Sequence, residues 1–159
     1  MRDSWFIAHV DHGKSTLADF LLSSHTCLLL VSPDICRLED AADELLSVYD
    51  WPRLPMGREL GAALLSEPPR RRPRAADRWT KARLGAMAPG PVLCTETDLL
   101  FEPALTLDPL RLVRDASRVT RLVVTWPGSY VDGVLAYAAP EHGHYRTWRN
   151  PGVSIAVLE

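Results

Sequence analysis

The order of apolar and polar positions predicts strands and helices that alternate along the chain of 159 residues. CLLLVS, at 27–32, is almost wholly apolar, which predicts a strand buried on both faces of a parallel sheet. Helical spacing of apolar residues runs through LEDAADELLSVY and GRELGAALLSE. LDPLRLVRDAS predicts another helix, in which Asp108 caps the first turn and Pro109 takes the first helical position. The alternation indicates an α/β fold.

The second half of the chain adds strands. RLVVTW predicts a strand that ends at Pro127-Gly128, and GVSIAVLE predicts a closing strand. SYVDGVLAY predicts a hairpin, because Asp132-Gly133 suits a type I′ turn. PPRRRPRAAD is predicted to be a loop, since three prolines within six residues exclude a helix interior. We therefore expect one α/β domain over residues 1–159, a three-layer sandwich with a mainly parallel sheet.

Composition narrows the function classes. The net charge of −2 gives no bulk attraction to nucleic acid, and the apolar runs are far shorter than a membrane span. The three cysteines, Cys27, Cys36 and Cys94, are odd in number and lack paired metal spacing. Free thiols in a reducing cytosol are the simplest interpretation, so we expect a cytoplasmic protein without membrane contact.

The stretch AHVDHGKSTLADFLL, at 8–22, has the strand, loop and helix order of a phosphate-binding loop. Gly13 permits close backbone approach, Lys14 is placed for the outer phosphates, and Ser15 is placed to hold Mg²⁺. This pattern predicts a site for ATP or GTP with Mg²⁺. The alternative is a chance Gly-Lys-Ser at the start of a helix.

The sequence FIAHVDHGKSTLADFLL resembles the N-terminal phosphate-loop segment of translational GTPases of the elongation factor 4 type. The resemblance covers about the first 22 residues and extends the expected nucleotide-binding set to Asp11, His12, Gly13, Lys14, Ser15 and Thr16. The chain has no Asn-Lys pair to read guanine. TWPG is similar to the DTPG switch of these GTPases, but Thr125 and Trp126 replace its first two residues. We therefore expect no guanine specificity.

A second resemblance covers about residues 26–159 and is strongest over 92–146. TDLLFEPALTLDPLRLVRDASRVTRLVVTWPG and LAYAAPEHGHYR resemble BrxF, a small P-loop protein of type 3 BREX phage-defence systems. This resemblance implies a P-loop NTPase-like fold and an ATP-binding accessory protein that works with other subunits of a defence system. It also places the phosphate loop after CLLLVS, where this chain reads SPDICRLE without glycine or lysine. We expect that loop to be inactive.

Two interpretations of the first 24 residues stay open. They are either an appended strand-loop-helix segment or the carrier of the working phosphate loop, with SWFIAHV as a parallel neighbour of CLLLVS. In the first case residues 25–159 should fold alone. Their sheet would consist of the strands CLLLVS, VLC, LVVT and VSIAV.

Candidate catalytic residues follow from strand ends. Glu96, and after it Asp98, stands where a carboxylate would hold the water of a bound magnesium ion, and Thr125 where a hydroxyl would sense the γ-phosphate. The alternatives are solvated turn carboxylates and a hydroxyl that satisfies strand-end backbone. His142 and His144 lack a third ligand, so we expect no zinc site.

Two groups of arginines remain. Arg111, Arg114, Arg118 and Arg121 are either an arginine finger or a solvated helix face. Arg70–Arg74 either contacts nucleic acid or is a soluble linker. The expected function is ATP-type nucleotide binding in a BREX-like system, with weak or no hydrolysis by the chain alone. The alternatives are a GTP-binding relative of translation factors and an interaction protein with a vestigial nucleotide site.

Overall fold

A computed structural model describes Val10–Asp11, Phe20 and residues 26–158. Its centre is a sheet of five parallel strands, β2 (Cys27–Ser32), β3 (Arg53–Pro55), β4 (Val92–Thr95), β5 (Leu122–Val131) and β8 (Ser154–Leu158). Their order across the sheet is β3-β4-β5-β2-β8. β2 lies in the interior of the sheet and every one of its residues is buried, as its almost wholly apolar sequence predicted.

Helices cover both faces of this sheet. They are α1 (Ile35–Val48), α2 (Met56–Leu64), α3 (Arg72–Gly85) and α4 (Pro109–Ala116), with 3₁₀ turns at Pro69–Arg71, Thr97–Phe101 and Pro103–Leu105. Alternate residues of β2 point to opposite sides. Leu28 and Leu30 pack with α1, whereas Leu29 and Val31 belong to the core under α2, α3 and α4. The predicted α/β sandwich with a mainly parallel sheet is confirmed.

The N-terminal strand does not lie where a parallel βαβ unit would place it. β1 (Val10–Asp11) pairs antiparallel with β8 at the sheet edge, so β8 separates it from β2. Of the two open interpretations, the one that makes SWFIAHV a parallel neighbour of CLLLVS is therefore wrong for the described part of that segment. β4, β5, β2 and β8, the four strands expected of residues 25–159, are contiguous and parallel without β1. Phe20 is nonetheless fully buried in the cluster between α1 and the sheet.

β5 belongs to two sheets at once. Its first six residues pair parallel with β2, and Gly128–Val131 pairs antiparallel with β6 (Val134–Tyr137), which in turn pairs with β7 (Arg146–Arg149). The prediction that RLVVTW ends at Pro127-Gly128 is wrong, because the strand continues through both residues. A side chain on Gly128 would place its Cβ 1.8 Å from the carbonyl oxygen of Ala136. Glycine is therefore required here for strand pairing, and no turn forms.

The hairpin predicted within SYVDGVLAY is present. Its two turn residues, Asp132 and Gly133, have φ of 51° and 76°, the positive values that a type I′ turn needs.

The basic proline-rich segment is not a loop. Pro69–Arg71 forms a 3₁₀ turn, and α3 begins at Arg72 with Pro73 in its first turn. Proline is tolerated there because the first amides of a helix have no intrahelical partner to lose. The loop prediction failed because it treated Pro73 as an interior position.

Four rings form an aromatic cluster where β5, β6 and β7 meet the turn after β4. Phe101 stacks on Tyr137 with centroids 3.7 Å apart, and Trp126 meets Trp148 edge to face at 5.2 Å. The Trp126 indole N–H donates to the Ala136 carbonyl at 3.0 Å. This cluster fixes the hairpin against the main core.

Among the described residues, no helix has the length and apolar character needed to cross a membrane.

Candidate functional site

A cavity of about 280 Å³ lies at the carboxyl edge of the parallel sheet. The first turns of α1 and α2, the turn after β4 and the end of the parallel part of β5 line it. Open α/β sheets bind ligands at this edge, beside a strand where the chain order reverses. β2 is such a strand. The chain passes from β2 to β3, β4 and β5 on one side of it, and later reaches β8 on its other side. Glu96, Asp98 and Thr125, the three predicted catalytic residues, all line this cavity.

Glu96 is bound by the helix opposite. Its Oε2 accepts hydrogen bonds from Nη2 and Nε of Arg58 at 2.7 and 2.9 Å, and its Oε1 accepts from the Arg58 backbone N–H at 3.2 Å. These contacts lower the pKa of Glu96, with the side-chain hydrogen bond from Arg58 as the largest cause. The carboxylate also satisfies an otherwise unpaired amide in the first turn of α2. It acts as a helix cap and ion-pair partner.

The other two predicted catalytic residues differ in exposure. Thr125 is buried, and its hydroxyl donates to the Cys94 carbonyl at 3.4 Å, so it satisfies strand backbone as one alternative expected. Its own carbonyl accepts from the Thr97 hydroxyl at 2.6 Å. Asp98 is exposed as a whole residue, but its carboxyl is partly desolvated, and this desolvation raises its pKa. A backbone hydrogen bond and, after it, the charge of His142 oppose that rise.

In the loop that follows β2, the Asp34 carboxylate accepts a hydrogen bond from a backbone amide that a phosphate would need. Only Pro33 and Asp34 separate β2 from α1. The Asp34 carboxylate accepts the Cys36 backbone N–H at 2.9 Å, and the Ser32 hydroxyl accepts the Asp34 N–H at 3.1 Å. A phosphate at this helix start would have to displace a carboxylate from the amides it needs. The residues after β2 therefore do not fit a triphosphate.

Almost all of the predicted phosphate loop falls outside the residues that the structure describes. His12, Gly13, Lys14, Ser15 and Thr16 lie outside the described part of the chain. Asp11 is described in β1, which is separated from β4 by three strands. Four strand spacings correspond to about 19 Å, so Asp11 and Glu96 do not share one site.

Sequence reasoning missed the partners of the site. Gly57 and Glu39 line the cavity, and Arg58 holds Glu96. Arg53, at the start of β3, donates to Glu39 at 2.9 Å and to the Thr95 hydroxyl at 3.0 Å. The available signal was Gly57-Arg58, one residue after the short segment RLP, because a glycine at the start of a helix permits close approach. A Cβ on Gly57 would come within 3.2 Å of Glu96.

The remaining candidates are apart from the cavity. Arg111 and Arg118 pair with Asp115 on the exposed side of α4. Arg114 lines a separate cavity of about 560 Å³ at the amino edge of the sheet. The Arg121 guanidinium donates to the Phe20 carbonyl and lies over its ring. None of these arginines lines the carboxyl-edge cavity.

Cysteines and histidines form no evident metal centre in the described ranges. There, no three His, Cys, Asp or Glu side chains come together in a way that would hold a metal ion. Cys27 and Cys94 are buried and Cys36 is exposed, all three as free thiols. Burial raises the pKa of Cys27 to about 12 and raises that of Cys94 as well.

Comparison of the chain with protein-family models, curated proteins and solved structures finds no match in any of the three.

Proposed function

We propose that this protein is an accessory protein of a BREX-like phage-defence system with a P-loop-type body. ATP, or GTP, would bind with Mg²⁺ through Gly13, Lys14 and Ser15 and not through the loop after β2. One observation carries the choice between the two loops. The Asp34 carboxylate occupies the start of α1, where a phosphate would otherwise bind.

Weak or absent hydrolysis belongs to this proposal. Hydrolysis needs a carboxylate and a γ-phosphate sensor beside the bound phosphates. Glu96 is held by Arg58, and the Thr125 hydroxyl donates to backbone. Neither group is free for the role that the strand-end pattern predicted for it. Other subunits would have to supply the missing groups.

The test is calorimetric titration with ATP and Mg²⁺. Lys14→Ala should weaken binding at least about tenfold, because a charge-assisted hydrogen bond to phosphate contributes roughly 1.5–3 kcal/mol. Lys81→Ala is the matched control, since Lys81 is the only other lysine and forms a surface pair with Asp77. Arg37→Ala tests the loop after β2 and should leave affinity unchanged. Equal affinity of the wild type and Lys14→Ala would contradict the proposal.

Competition between nucleotides addresses the translation-factor alternative. We expect equal displacement of labelled ATP by GTP and ATP, because the chain has no Asn-Lys pair to read guanine. A preference for GTP above tenfold, about 1.4 kcal/mol, would favour the GTPase relationship.

A second candidate function is a pure interaction protein whose nucleotide site is vestigial. The hydrogen bond accepted by Asp34 and the Glu96–Arg58 pair favour it, because both occupy polar groups that a ligand would use. Complete absence of ATP and GTP binding by the wild type would establish this candidate over the first. In either case, deleting the gene from a host that carries the system should abolish phage resistance. Complementation by Lys14→Ala then reports whether nucleotide binding matters.

A further inference from the structure

Four arginines lie on the surface around the start of α3. Arg70 and Arg71 belong to the 3₁₀ turn before the helix, and Arg74 and Arg78 are one helical turn apart on it. All four are exposed. We call these four residues the α3 basic surface. A loop would leave such side chains without a fixed arrangement, whereas the helix holds Arg74 and Arg78 about 6 Å apart along its axis.

The α3 basic surface has no partner within the described ranges. None of its four arginines forms an ion pair there, although Arg53, Arg58 and Arg83 each pair with a carboxylate. Arg72 is different, because its Nε donates to the Glu67 carbonyl and so holds the turn before the helix. The four guanidinium groups are therefore available to an external anion.

The charges around the start of α3 destabilise this helix end when no anion is bound there. The first turn of α3 holds no acidic residue and receives no side-chain cap. Cations at the amino end of a helix oppose its dipole, and neighbouring arginines repel one another. A polyanion that binds here would relieve both effects, because it supplies negative charge where the dipole and the arginines are positive.

From this arrangement we propose that the α3 basic surface binds the phosphate backbone of nucleic acid without reading its sequence. Arginine suits phosphate, since its planar group donates two parallel hydrogen bonds. The net charge of −2 does not oppose this, because binding at short range depends on the local surface and distant charges are screened at physiological salt. The proposal is independent of the nucleotide site.

The test measures fluorescence anisotropy of labelled single-stranded and duplex oligonucleotides against salt concentration. Four phosphate contacts predict a slope of log K against log salt near −3.6 on duplex DNA. Replacing Arg70, Arg71, Arg74 and Arg78 by Ala should remove measurable binding. The matched control replaces Arg111, Arg114, Arg118 and Arg149, which are also exposed, and loses the same net charge. This control variant should retain the slope of log K against log salt.

Thermal melts establish that the variants fold. If the fourfold variant does not fold, single substitutions serve instead, each expected to reduce the slope by about one. No binding by the wild type at low salt overturns the proposal, as does an equal loss in the control. Analytical sedimentation measures the oligomeric state of the wild type and of the fourfold variant. An oligomer that dissociates when the α3 basic surface is neutralised, without oligonucleotide binding, would assign this surface to a second copy of the chain.

Discussion

Arg58 holds Glu96 through both its side chain and its backbone amide, across 38 residues of sequence. The contact joins the turn after β4 to the first turn of α2. Glu96 has φ of 55°, in the left-handed region that non-glycine residues rarely adopt. Its conformation therefore directs the carboxylate onto α2, and the cavity wall depends on this pair.

Glu96→Gln should lower the stability of the fold at neutral pH by about 1 kcal/mol, since it weakens a charged cap of α2. The folded state lowers the pKa of Glu96, so the carboxylate stabilises the fold above its unfolded pKa of about 4.3. That stability disappears as pH falls through the lower, folded pKa. Urea unfolding from pH 7 downward should show a difference from wild type that is complete at pH 7 and shrinks as the pH falls below about 4.3. Glu141→Gln, at an exposed position, is the control, and a difference that does not shrink on acidification would contradict this assignment.

Phe20→Ala should destabilise the fold by about 3 kcal/mol. Phe20 is fully buried beside α1, and large-to-small changes in a core leave a cavity that relaxes only in part. Chemical unfolding measures the loss, with Leu65→Ala at an 81% exposed position as the control. A cost below about 1 kcal/mol would mean that the N-terminal segment is an appendage in energetic terms.

Gly128→Ala should destabilise by about 3 kcal/mol or more, because the new Cβ would lie 1.8 Å from a backbone oxygen. β5 and β6 would have to separate locally, and the indole hydrogen bond of Trp126 uses the same oxygen. A lower melting temperature with altered tryptophan fluorescence is the expected readout. Gly143→Ala, where no atom lies within 4 Å, should change neither. A fully stable Gly128→Ala protein would refute the close approach.

Only one of the three thiols should react with Ellman's reagent in the folded protein. Cys36 is exposed, whereas Cys27 and Cys94 are buried and their raised pKa values keep them as unreactive thiols near neutral pH. Cys36→Ser should abolish the reaction under native conditions, and denaturant should release the other two. Rapid reaction of two or more native thiols would show that the core opens readily.

The fold was predictable where local chemistry decides. The almost wholly apolar sequence of β2 and the capping pair Asp108-Pro109 each specify an element through neighbouring residues, and both elements are present. α3 was missed because Pro73 has opposite effects in the first turn and in the interior of a helix. β7 was missed because RTWR is partly exposed and offers little apolar signal.

The candidate site was predictable only in part, because some of its residues are marked by local sequence and others are brought in from distant elements. Strand ends locate Glu96 and Thr125 at one edge of the sheet, because parallel strands share a carboxyl edge. Their partners come from other elements, such as Arg58 on α2. No local pattern reveals a contact between residues so far apart in sequence. The continuation of β5 through Pro127 likewise depends on β6, which lies further along the chain.

The division of helices between the two faces of the sheet also separates charge. Residues 34–50, which include α1, carry six acidic groups and one basic group, whereas residues 70–83, around α3, carry seven basic groups and one acidic group. α1 and α3 belong to cores on opposite sides of the sheet. These two segments therefore place opposite charge on the two faces of the sheet. A polyanion is attracted to the side of α3 and repelled from the side of α1, so it would meet the molecule at α3.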